Sequence, residues 1–452
     1  MPFSRPNDSA RRCRNDSEDA WMNTSLNSRP SELAIEPIRH PLDACVRMPG
    51  SKSLTNRALM VAALARGTTR LVNALFSDDS HYFSEALKTL GFAIESDPEG
   101  LSYTVVGQGG RIPAHRADLF VGNAGTAARF LTAMLSLGEG EYLVDGEPRM
   151  RERPIADLIG GLNQLGGQVS SPTGCLPVQV RGSGLLGGFC SVAGNVSSQF
   201  LSGLLMVAPY ARTSVEVVVE NGLNSKPYVD MTISVMSDFG VDATRQGYHS
   251  FVVRPGTYRA CDDYPIEPDA SAASYFFAAP VILGGRVRVQ RLSRSSKQGD
   301  IAFLDILEQM GCTVTQTDEY LEVSSGGPLQ GVNVDMRNIS DTAQTLAVIA
   351  PFAASPTTIR GIGFIRAKET DRIGAVCTEL RRLGVDVEEQ PDGLVIQPCT
   401  AFQPGCVQTY NDHRMAMAFS LLGLRIPGVS IENPGCVSKT FPDYFTVLEA
   451  LR

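Results

Sequence analysis

The sequence predicts an α/β protein of two domains, each built from three copies of one α/β unit. Length is the first observation, because 452 residues exceed one ordinary domain and an apolar share of 43% is enough for two cores. A recurring segment is the second: a helix-like stretch ends in a bulky residue and Gly, and a strand-like stretch follows. The third is its spacing, since the glycines lie 75, 74, 71 and 73 residues apart, at Gly91, Gly166, Gly240, Gly311 and Gly384.

Each of these glycines suits the position just after a helix, where the backbone turns left-handed. The apolar or β-branched residues that follow suit a strand. The alternative is that a helix followed by a glycine and a strand is a common arrangement in any α/β protein. Near-equal spacing favours a true repeat, and the period exceeds that of solenoids. A period of about 73 residues fits about six times into the chain, which predicts three units per domain.

Two proline-containing segments, residues 47–51 and 262–268, have the composition of crossings between domains. With two crossings, the N-terminal stretch belongs to the C-terminal half. We therefore expect one domain to comprise residues 34–49 plus 268–452, and the other residues 50–267. Residues 1–33 are rich in Ser, Arg, Asn and Asp and lack an apolar stretch, which favours a flexible tail over a targeting signal.

Composition restricts the classes of partner. A net charge of −8 argues against nucleic acid as the main partner, although it is compatible with a local basic pocket. No run of about 18 apolar residues is present, which argues against a transmembrane helix. Ten Cys and five His are scattered without metal-like spacing, so we expect reduced thiols and no metal site.

The segment from Pro49 to Arg57 is the first that carries chemistry. Small residues and Lys52 lead into an apolar helix over residues 58–64, and Arg57 lies one helical turn beyond Ser53 on the same face. Ser hydroxyls, backbone N–H groups and a Lys at a helix start form an anion site. The phosphate-loop pattern GxxxxGK[ST] is absent. A capped helix with exposed charges is the alternative.

Four further segments of the N-terminal half offer similar groups. Residues 122–129 open an apolar helix with Gly and Ala, which let a ligand approach the backbone closely. Residues 146–154 carry three Arg in a loop bounded by Pro. Residues 197–199 and 225–228 have the composition of helix starts that expose hydroxyls. Each also has a structural alternative: a packing turn, a solvated charge run or a helix cap.

Cations gather at helix starts in the C-terminal half. Lys368 and Arg372 precede an amphipathic helix over residues 373–383, and Arg414 precedes an apolar helix over residues 415–422. Lys439 begins the last helix, whose pattern covers residues 442–452. A cation at a helix N-terminus opposes the helix dipole unless an anion binds there. Repetition of this arrangement in an acidic protein indicates small anionic ligands.

The motifs GSKSLTNR, GNAGTA, GEPRMRERP, SSQF, KETDR, NDHRMAM and KTFPDYF follow in this order from about residue 34 to the C-terminus. This ordered set resembles the 5-enolpyruvylshikimate-3-phosphate synthase family. The resemblance implies the two-domain enolpyruvyl transferase fold, an inside-out α/β barrel with three βαβαββ repeats per domain and the active site between the domains. It also implies transfer of the enolpyruvyl group of phosphoenolpyruvate to the 5-hydroxyl of shikimate 3-phosphate, with release of phosphate. No cofactor or metal is implied, and we expect a cytoplasmic monomer.

The resemblance assigns site residues by position. Asp341 matches the proton acceptor for the 5-hydroxyl, Glu369 matches the residue that moves protons at the methylene carbon, and Lys52 fits a cation at the leaving phosphate. A helix cap is the structural alternative for Asp341. Shikimate 3-phosphate is expected at Lys52, Ser53, Arg57, Ser197, Ser198, Gln199, Ser225, Tyr228, Asp341 and Lys368. Phosphoenolpyruvate is expected at Lys52, Asn123, Gly125, Arg149, Gln199, Arg372, Arg414 and Lys439.

Two positions depart from the familiar pattern of this family. Phe130 replaces a Pro under the phosphoenolpyruvate site, so sensitivity to glyphosate, which targets the family, stays open despite the small Gly125. Phe364 replaces an Asn that contacts shikimate 3-phosphate in some members. The related enzyme acting on UDP-N-acetylglucosamine is disfavoured, because many of its members use a Cys in the loop that matches residues 146–154, where this chain has none. A non-catalytic binding paralogue is disfavoured because both carboxylates are present.

Overall fold

The computed structural model describes residues 30–452, so residues 1–29 of the expected tail lie outside the described part. The sequence assigns Glu32 and Leu33 to that tail, but both belong to a strand, Glu32–Ala34. This strand pairs antiparallel with Val429–Glu432, and Leu33 lies opposite Ile431. Part of the expected tail is therefore a strand, because a partner distant in sequence supplies the backbone hydrogen bonds.

Helices and strands alternate along the described chain. The α-helices are α1 (Lys52–Leu64), α2 (Asp78–Thr89), α3 (Gly125–Leu135), α4 (Ala156–Gln164), α5 (Ser198–Val207), α6 (Lys226–Asp238), α7 (Ala270–Leu283), α8 (Phe303–Met310), α9 (Ala343–Ile349), α10 (Arg372–Arg382), α11 (His413–Gly423) and α12 (Tyr444–Glu449). The strands are β1 (Glu32–Ala34), β2 (Leu42–Val46), β3 (Arg66–Val72), β4 (Ala93–Asp97), β5 (Ser102–Gln108), β6 (Arg116–Phe120), β7 (Glu141–Asp145), β8 (Gln168–Ser170), β9 (Val178–Arg181), β10 (Gly188–Ala193), β11 (Val215–Glu220), β12 (Ala243–Gln246), β13 (Ser250–Val253), β14 (Asp263–Pro265), β15 (Gly285–Gln290), β16 (Thr313–Gln316), β17 (Tyr320–Ser325), β18 (Asn333–Asp335), β19 (Thr357–Arg360), β20 (Val387–Gln390), β21 (Gly393–Ile396), β22 (Gly405–Val407) and β23 (Val429–Glu432). The 3₁₀ segments that carry site residues are Met150–Glu152, Gly299–Ala302, Ser340–Thr342, Gly363–Ala367 and Pro434–Lys439.

One sheet plan recurs. In the sheet β6-β7-β9-β8, the first two strands are parallel and joined through α3, while α4 leads to the antiparallel pair β8 and β9. The sheets β10-β11-β13-β12 and β18-β19-β21-β20 have the same order and the same directions. Each is a βαβαββ unit, which confirms the repeat predicted from the glycine spacing.

Three other sheets take one strand from a distant part of the chain. β2 pairs in parallel with β15, so Leu42 lies opposite Gly285, and β14 pairs in parallel with β3. β1 completes the sheet of β22 and β23. The chain thus leaves one group of sheets after β2 and returns to it after β14.

The two crossings of the chain lie side by side. The amide of Asp269 donates to the carbonyl of Pro49 at 2.9 Å, and the amide of Ser51 donates to the carbonyl of Glu267 at 2.8 Å. Gly50 and Pro268 form an antiparallel bridge between them. A short two-stranded connection therefore joins the two halves.

Buried apolar side chains form two cores. The buried cluster within residues 54–266 is called the first core. The cluster within residues 35–48 and 270–451 is called the second core. Helices α1, α3 and α5 of the first core and α7, α9 and α11 of the second are buried on nearly every side. The strands instead alternate, as β2 does between buried Leu42 and exposed Asp43. A helix that is buried all round lies inside, so the helices face inward and the sheets outward, as the predicted inside-out fold requires.

The glycines of the repeat adopt the left-handed backbone that the prediction required. Their φ angles are +87°, +90°, +83°, +105° and +84° in chain order.

The prediction that Lys439 begins the last helix is wrong, because this residue ends the 3₁₀ segment Pro434–Lys439 and α12 begins only at Tyr444. Pro442 favours an extended backbone at Phe441, so a helix cannot run continuously from Lys439 into α12. Within residues 30–452, no helix is long and apolar enough to cross a membrane.

Candidate active site

Asp341 lies at the centre of a cluster of cations in the second core. Its carboxylate accepts hydrogen bonds from Lys368 Nζ at 2.6 Å, Arg414 Nη2 at 2.7 Å and Arg372 Nη1 at 3.3 Å. Desolvation alone raises the pKa of Asp341, but the charges of Arg414, Lys368 and Arg372 outweigh it and hold the pKa well below the ordinary value. The side chain caps no helix, since Thr342 occupies the N-cap position of α9. The helix-cap alternative for Asp341 is therefore wrong.

Glu369 is the second carboxylate of the cluster. Its Oε2 atom accepts from Arg372 Nη2 at 2.8 Å, and its Oε1 atom lies 3.7 Å from Arg153 Nη1. Burial opposes ionisation, yet the nearby guanidinium groups of Arg372 and Arg153 keep the pKa of Glu369 well below its usual range. The surrounding cations thus favour the ionised form of both carboxylates.

Arg372 is held by three carboxylates. Its side chain is 1% exposed, and besides Asp341 and Glu369 it binds Asp412 through Nε at 2.7 Å and Nη2 at 3.2 Å. Asp412 is fully buried and also caps α11 by accepting from the amide of Arg414 at 2.9 Å. A planar guanidinium bound at both edges has one orientation, so Asp412 fixes the direction in which Arg372 faces the site.

Side chains of the two cores meet across the site. Arg149 donates to the carbonyl of Lys368 at 2.8 Å and to that of Glu369 at 3.1 Å. Lys439 Nζ donates to Asp79 Oδ1 at 2.6 Å and to the carbonyl of Asn123 at 2.9 Å. These contacts bring the predicted phosphoenolpyruvate residues of both halves together.

Lys52 and Tyr228 make further contacts at the site. The amide of Lys52 donates to Asp269 Oδ2 at 3.0 Å, and its Nζ atom lies 3.6 Å from Asp79 Oδ2. The Tyr228 hydroxyl lies 3.1 Å from Asp300 Oδ2 and 3.3 Å from Asp341 Oδ2. Asp300 is 3% exposed, and burial, followed by the charge of Asp341, raises its pKa to about 6.

The remaining residues predicted for shikimate 3-phosphate line the first-core side. Arg57 is 2% exposed and donates to the carbonyls of Ser53 at 2.9 Å and Tyr228 at 3.1 Å. Ser197 caps α5 by accepting from the amide of Gln199 at 3.3 Å, as the structural alternative proposed for it. Ser198 and Ser225 stand at the starts of α5 and α6. Within residues 30–452, these three serines make no hydrogen bond to Asp341 or its cations.

Close packing surrounds the other predicted positions. Gln199 Nε2 donates to the hydroxyl of Thr126 at 3.3 Å, at the start of α3. A Cβ atom at Gly125 would lie 2.5 Å from Arg153 Nη2, which explains a glycine there. A cavity of about 360 Å³ opens beside Asn123, Lys439 and Asp79.

Comparison with known proteins decides the family of the chain. Residues 37–448 match the family EPSP synthase (3-phosphoshikimate 1-carboxyvinyltransferase). The chain belongs to the EPSP synthase family. It is similar to the 3-phosphoshikimate 1-carboxyvinyltransferases of Trichormus variabilis, at 52% identity over 416 residues (92% of this chain and 97% of the relative), and of Edwardsiella ictaluri, at 48% over 425 residues (93% and 99%). The solved EPSP synthase of Acinetobacter baumannii superposes with a TM-score of 0.77 at 25% identity, over 92% of this chain and 97% of that one.

Membership in the EPSP synthase family identifies the chain as an enzyme. It confirms the recognition made from the seven ordered motifs and the two-domain α/β fold that the resemblance implied. Enolpyruvyl transfer in the shikimate pathway, expected from the same motifs, is the activity of this family.

The two departures from the EPSP synthase pattern both place an aromatic ring beside a cation. The Cζ atom of Arg57 lies 5.3 Å from the ring centroid of Phe130, and the Nζ atom of Lys368 lies 5.8 Å from that of Phe364. A ring face attracts a cation at these distances. Each phenylalanine ring thus stabilises the charge of a residue, Arg57 or Lys368, that is expected to bind shikimate 3-phosphate.

Sequence reasoning missed Asp79, Arg153 and Asp412. Asp79 follows Ser77 and Asp78 in the first turn of α2, where acidic residues are usual, so its link to Lys52 and Lys439 had no local signal. Arg153 stood in the arginine-rich loop but was not singled out. Asp412 stood in the NDHR motif, and an Asp before a helix is read first as a cap.

Proposed function

We propose that this chain transfers the enolpyruvyl group of phosphoenolpyruvate to the 5-hydroxyl of shikimate 3-phosphate through Asp341, Glu369 and Lys52. One observation carries the proposal: two carboxylates are embedded among Lys and Arg side chains that come from both cores. Both substrates bear phosphate and carboxylate groups, and a closed site needs several fixed cations to offset their desolvation. Two carboxylates at separate positions can then handle two different protons.

Asp341 accepts the proton of the 5-hydroxyl as its oxygen attacks C2 of phosphoenolpyruvate. Glu369 takes up a proton from solvent as the substrates bind and delivers it to the methylene carbon, which gives a tetrahedral intermediate. In the second half, a methyl proton returns to Glu369 while the bond from C2 to the phosphate oxygen breaks. The proton held by Asp341 leaves with the phosphate, so atoms and charges balance over the cycle.

The depressed pKa values of Asp341 and Glu369 fit this cycle because the substrates compete for the same cations. Arg372 and Arg414 now bind Asp341, Glu369 and Asp412. When a substrate carboxylate or phosphate binds those arginines, they are shared and stabilise the two catalytic carboxylates less. The pKa values of Asp341 and Glu369 then rise towards the range in which a carboxylate transfers protons.

Lys52 and Lys439 serve the leaving phosphate. Both ammonium groups converge on the carboxylate of Asp79, at 3.6 Å and 2.6 Å. Negative charge develops on the phosphate oxygens as the C2–O bond breaks, and fixed cations stabilise it. Arg149, Asn123, Gly125 and Gln199 complete the phosphoenolpyruvate side, and the serines with Arg57, Tyr228 and Lys368 complete the shikimate side.

We further propose domain boundaries at residues 34–49 plus 268–452 and at residues 50–267. The two separate cores and the paired crossings at Gly50 and Pro268 support them. We propose that the enzyme acts as a cytoplasmic monomer and needs no cofactor, since its own Lys and Arg supply the charge that the reaction requires.

Phosphate release tests the function directly. Purified protein is mixed with shikimate 3-phosphate and phosphoenolpyruvate, and inorganic phosphate is followed in a coupled assay. We expect continuous turnover that needs both substrates. A parallel reaction with UDP-N-acetylglucosamine in place of shikimate 3-phosphate should release none. The assignment would be refuted if phosphate were released from phosphoenolpyruvate with UDP-N-acetylglucosamine as the only acceptor. Release from phosphoenolpyruvate with no acceptor present would refute it as well.

A further inference from the structure

The loop that precedes α11 has an unusual backbone. Tyr410 and Asn411 are consecutive non-glycine residues with φ of +53° and +54°. Side chains disfavour this left-handed region, so such a pair persists only where its surroundings hold it. Asp412 and Arg414 follow at once, so the loop sets the position of two groups of the site.

Glu379 holds this loop from α10. It lies seven residues after Arg372 on the same helix, about two turns away and on the same face. Its side chain is 1% exposed and accepts from the amide of Gln408 at 3.1 Å and from the Tyr410 hydroxyl at 2.8 Å. Partial desolvation of the hydroxyl, followed by this hydrogen bond, raises the pKa of Tyr410 to about 12, so the hydroxyl remains a donor.

Helix α10 and the loop are therefore joined at two places. At the N-terminal end of α10, Arg372 binds Asp412 at 2.7 Å. Two turns later, Glu379 binds Gln408 and Tyr410. The proposed mechanism uses only the first of these connections, and the second has no part in it.

We propose that Glu379 is a positioning residue for phosphoenolpyruvate: it holds the left-handed loop and so fixes how Asp412 presents Arg372 and Arg414. The inference rests on the proposed function, because that function assigns both arginines to phosphoenolpyruvate. The acceptor substrate depends on the loop less, since most of the residues assigned to it lie in or at the starts of α1, α5 and α6 and only Asp341 and Lys368 lie elsewhere.

Tyr410→Phe and Glu379→Gln test this role. Tyr410 is exposed, so removal of its hydroxyl leaves the packing intact even if the Glu379 variant folds poorly. We expect KM for phosphoenolpyruvate to rise about tenfold, with KM for shikimate 3-phosphate changed by less than about twofold. Tyr248→Phe is the matched control, because it removes a hydroxyl bound to Asp230 at 2.6 Å far from the loop. A merely structural role would lower the melting temperature without separating the two KM values.

Rescue gives a second readout. Glycine adopts positive φ without steric cost, so Asn411→Gly added to Tyr410→Phe should recover most of the lost affinity. Calorimetric titration of phosphoenolpyruvate into protein without shikimate 3-phosphate involves no turnover, so it tests the loop even if the wild type releases no phosphate. Unchanged phosphoenolpyruvate affinity in both single variants, or an equal loss for both substrates, would overturn the proposal.

Discussion

Replacement of Asp341 by Asn separates catalysis from binding. The substitution keeps the size of the side chain and removes its charge and its basicity. A positioned proton acceptor contributes about 10²- to 10⁴-fold to a rate. We therefore expect kcat to fall by about that factor, which corresponds to about 3–5 kcal/mol of transition-state stabilisation.

Binding should change in the opposite direction. Asp341 now offsets three cations that lie 2.6, 2.7 and 3.3 Å from its oxygens. Its loss adds one unit of positive charge to a site for anions. At about 5 Å and an effective dielectric constant of about 20, one unit is worth at most about 3 kcal/mol. The Kd of shikimate 3-phosphate should therefore stay the same or decrease.

Two measurements test the reasoning. Phosphate release gives kcat, and calorimetric titration gives the Kd of shikimate 3-phosphate. Asp335→Asn is the control, since Asp335 is an exposed acid of the same repeat, 3.9 Å from Arg337. A kcat within about tenfold of the wild type would refute Asp341 as the base. A Kd that rises together with the fall in kcat would assign Asp341 a binding role instead.

Three further substitutions have definite expected outcomes. Asp412→Ala leaves buried Arg372 without its closest partner, so urea titration should show a loss of about 3–5 kcal/mol in the free energy of unfolding; a loss under about 1 kcal/mol would count against it. Gly125→Ala places a Cβ atom 2.5 Å from Arg153 Nη2, so KM for phosphoenolpyruvate should rise while that for shikimate 3-phosphate stays constant, and the reverse pattern would contradict the assignment. Asp300 has its pKa raised from 3.8 to about 6, so the stability linked to it is complete below the unfolded pKa and is lost as the pH rises through the folded one. Relative to the wild type, Asp300→Asn should gain about 1 kcal/mol of unfolding free energy between about pH 5 and about pH 8; an equal difference at both would disprove the linkage.

Local patterns predicted most of the repeat and much of the cation cluster. The five glycines were found because a helix end needs a left-handed residue, and the helix-like stretch before each glycine and the strand-like stretch after it mark that position. Arg372 and Arg414 were found because a cation at a helix start is conspicuous. Residues whose local setting already has an ordinary explanation were not found: Asp79 is a usual first-turn acid, and Asp412 is a usual cap.

Pairings between distant segments were the other part beyond local prediction. Nothing in Glu32–Ala34 indicates that its hydrogen-bond partner is Val429–Glu432. The start of the last helix was misplaced because Lys439 was read as a helix-start cation, although Pro442 disfavours helical backbone at Phe441 and α12 begins at Tyr444. Tertiary contacts decide the strand pairing, and they leave no trace in a short window of sequence.

The pairing of β1 with β23 also sets an order of events during synthesis. Glu32 and Ser430, which are bonded side chain to side chain, lie 398 residues apart. The strand made first therefore waits for almost the whole chain before its partner leaves the ribosome. The first core is made within one continuous stretch and can close early, whereas the second core stays open until its C-terminal strands and helices have been made. Helices of the second core, apolar on nearly every side, are then the surfaces that most need protection from aggregation while the chain is being made.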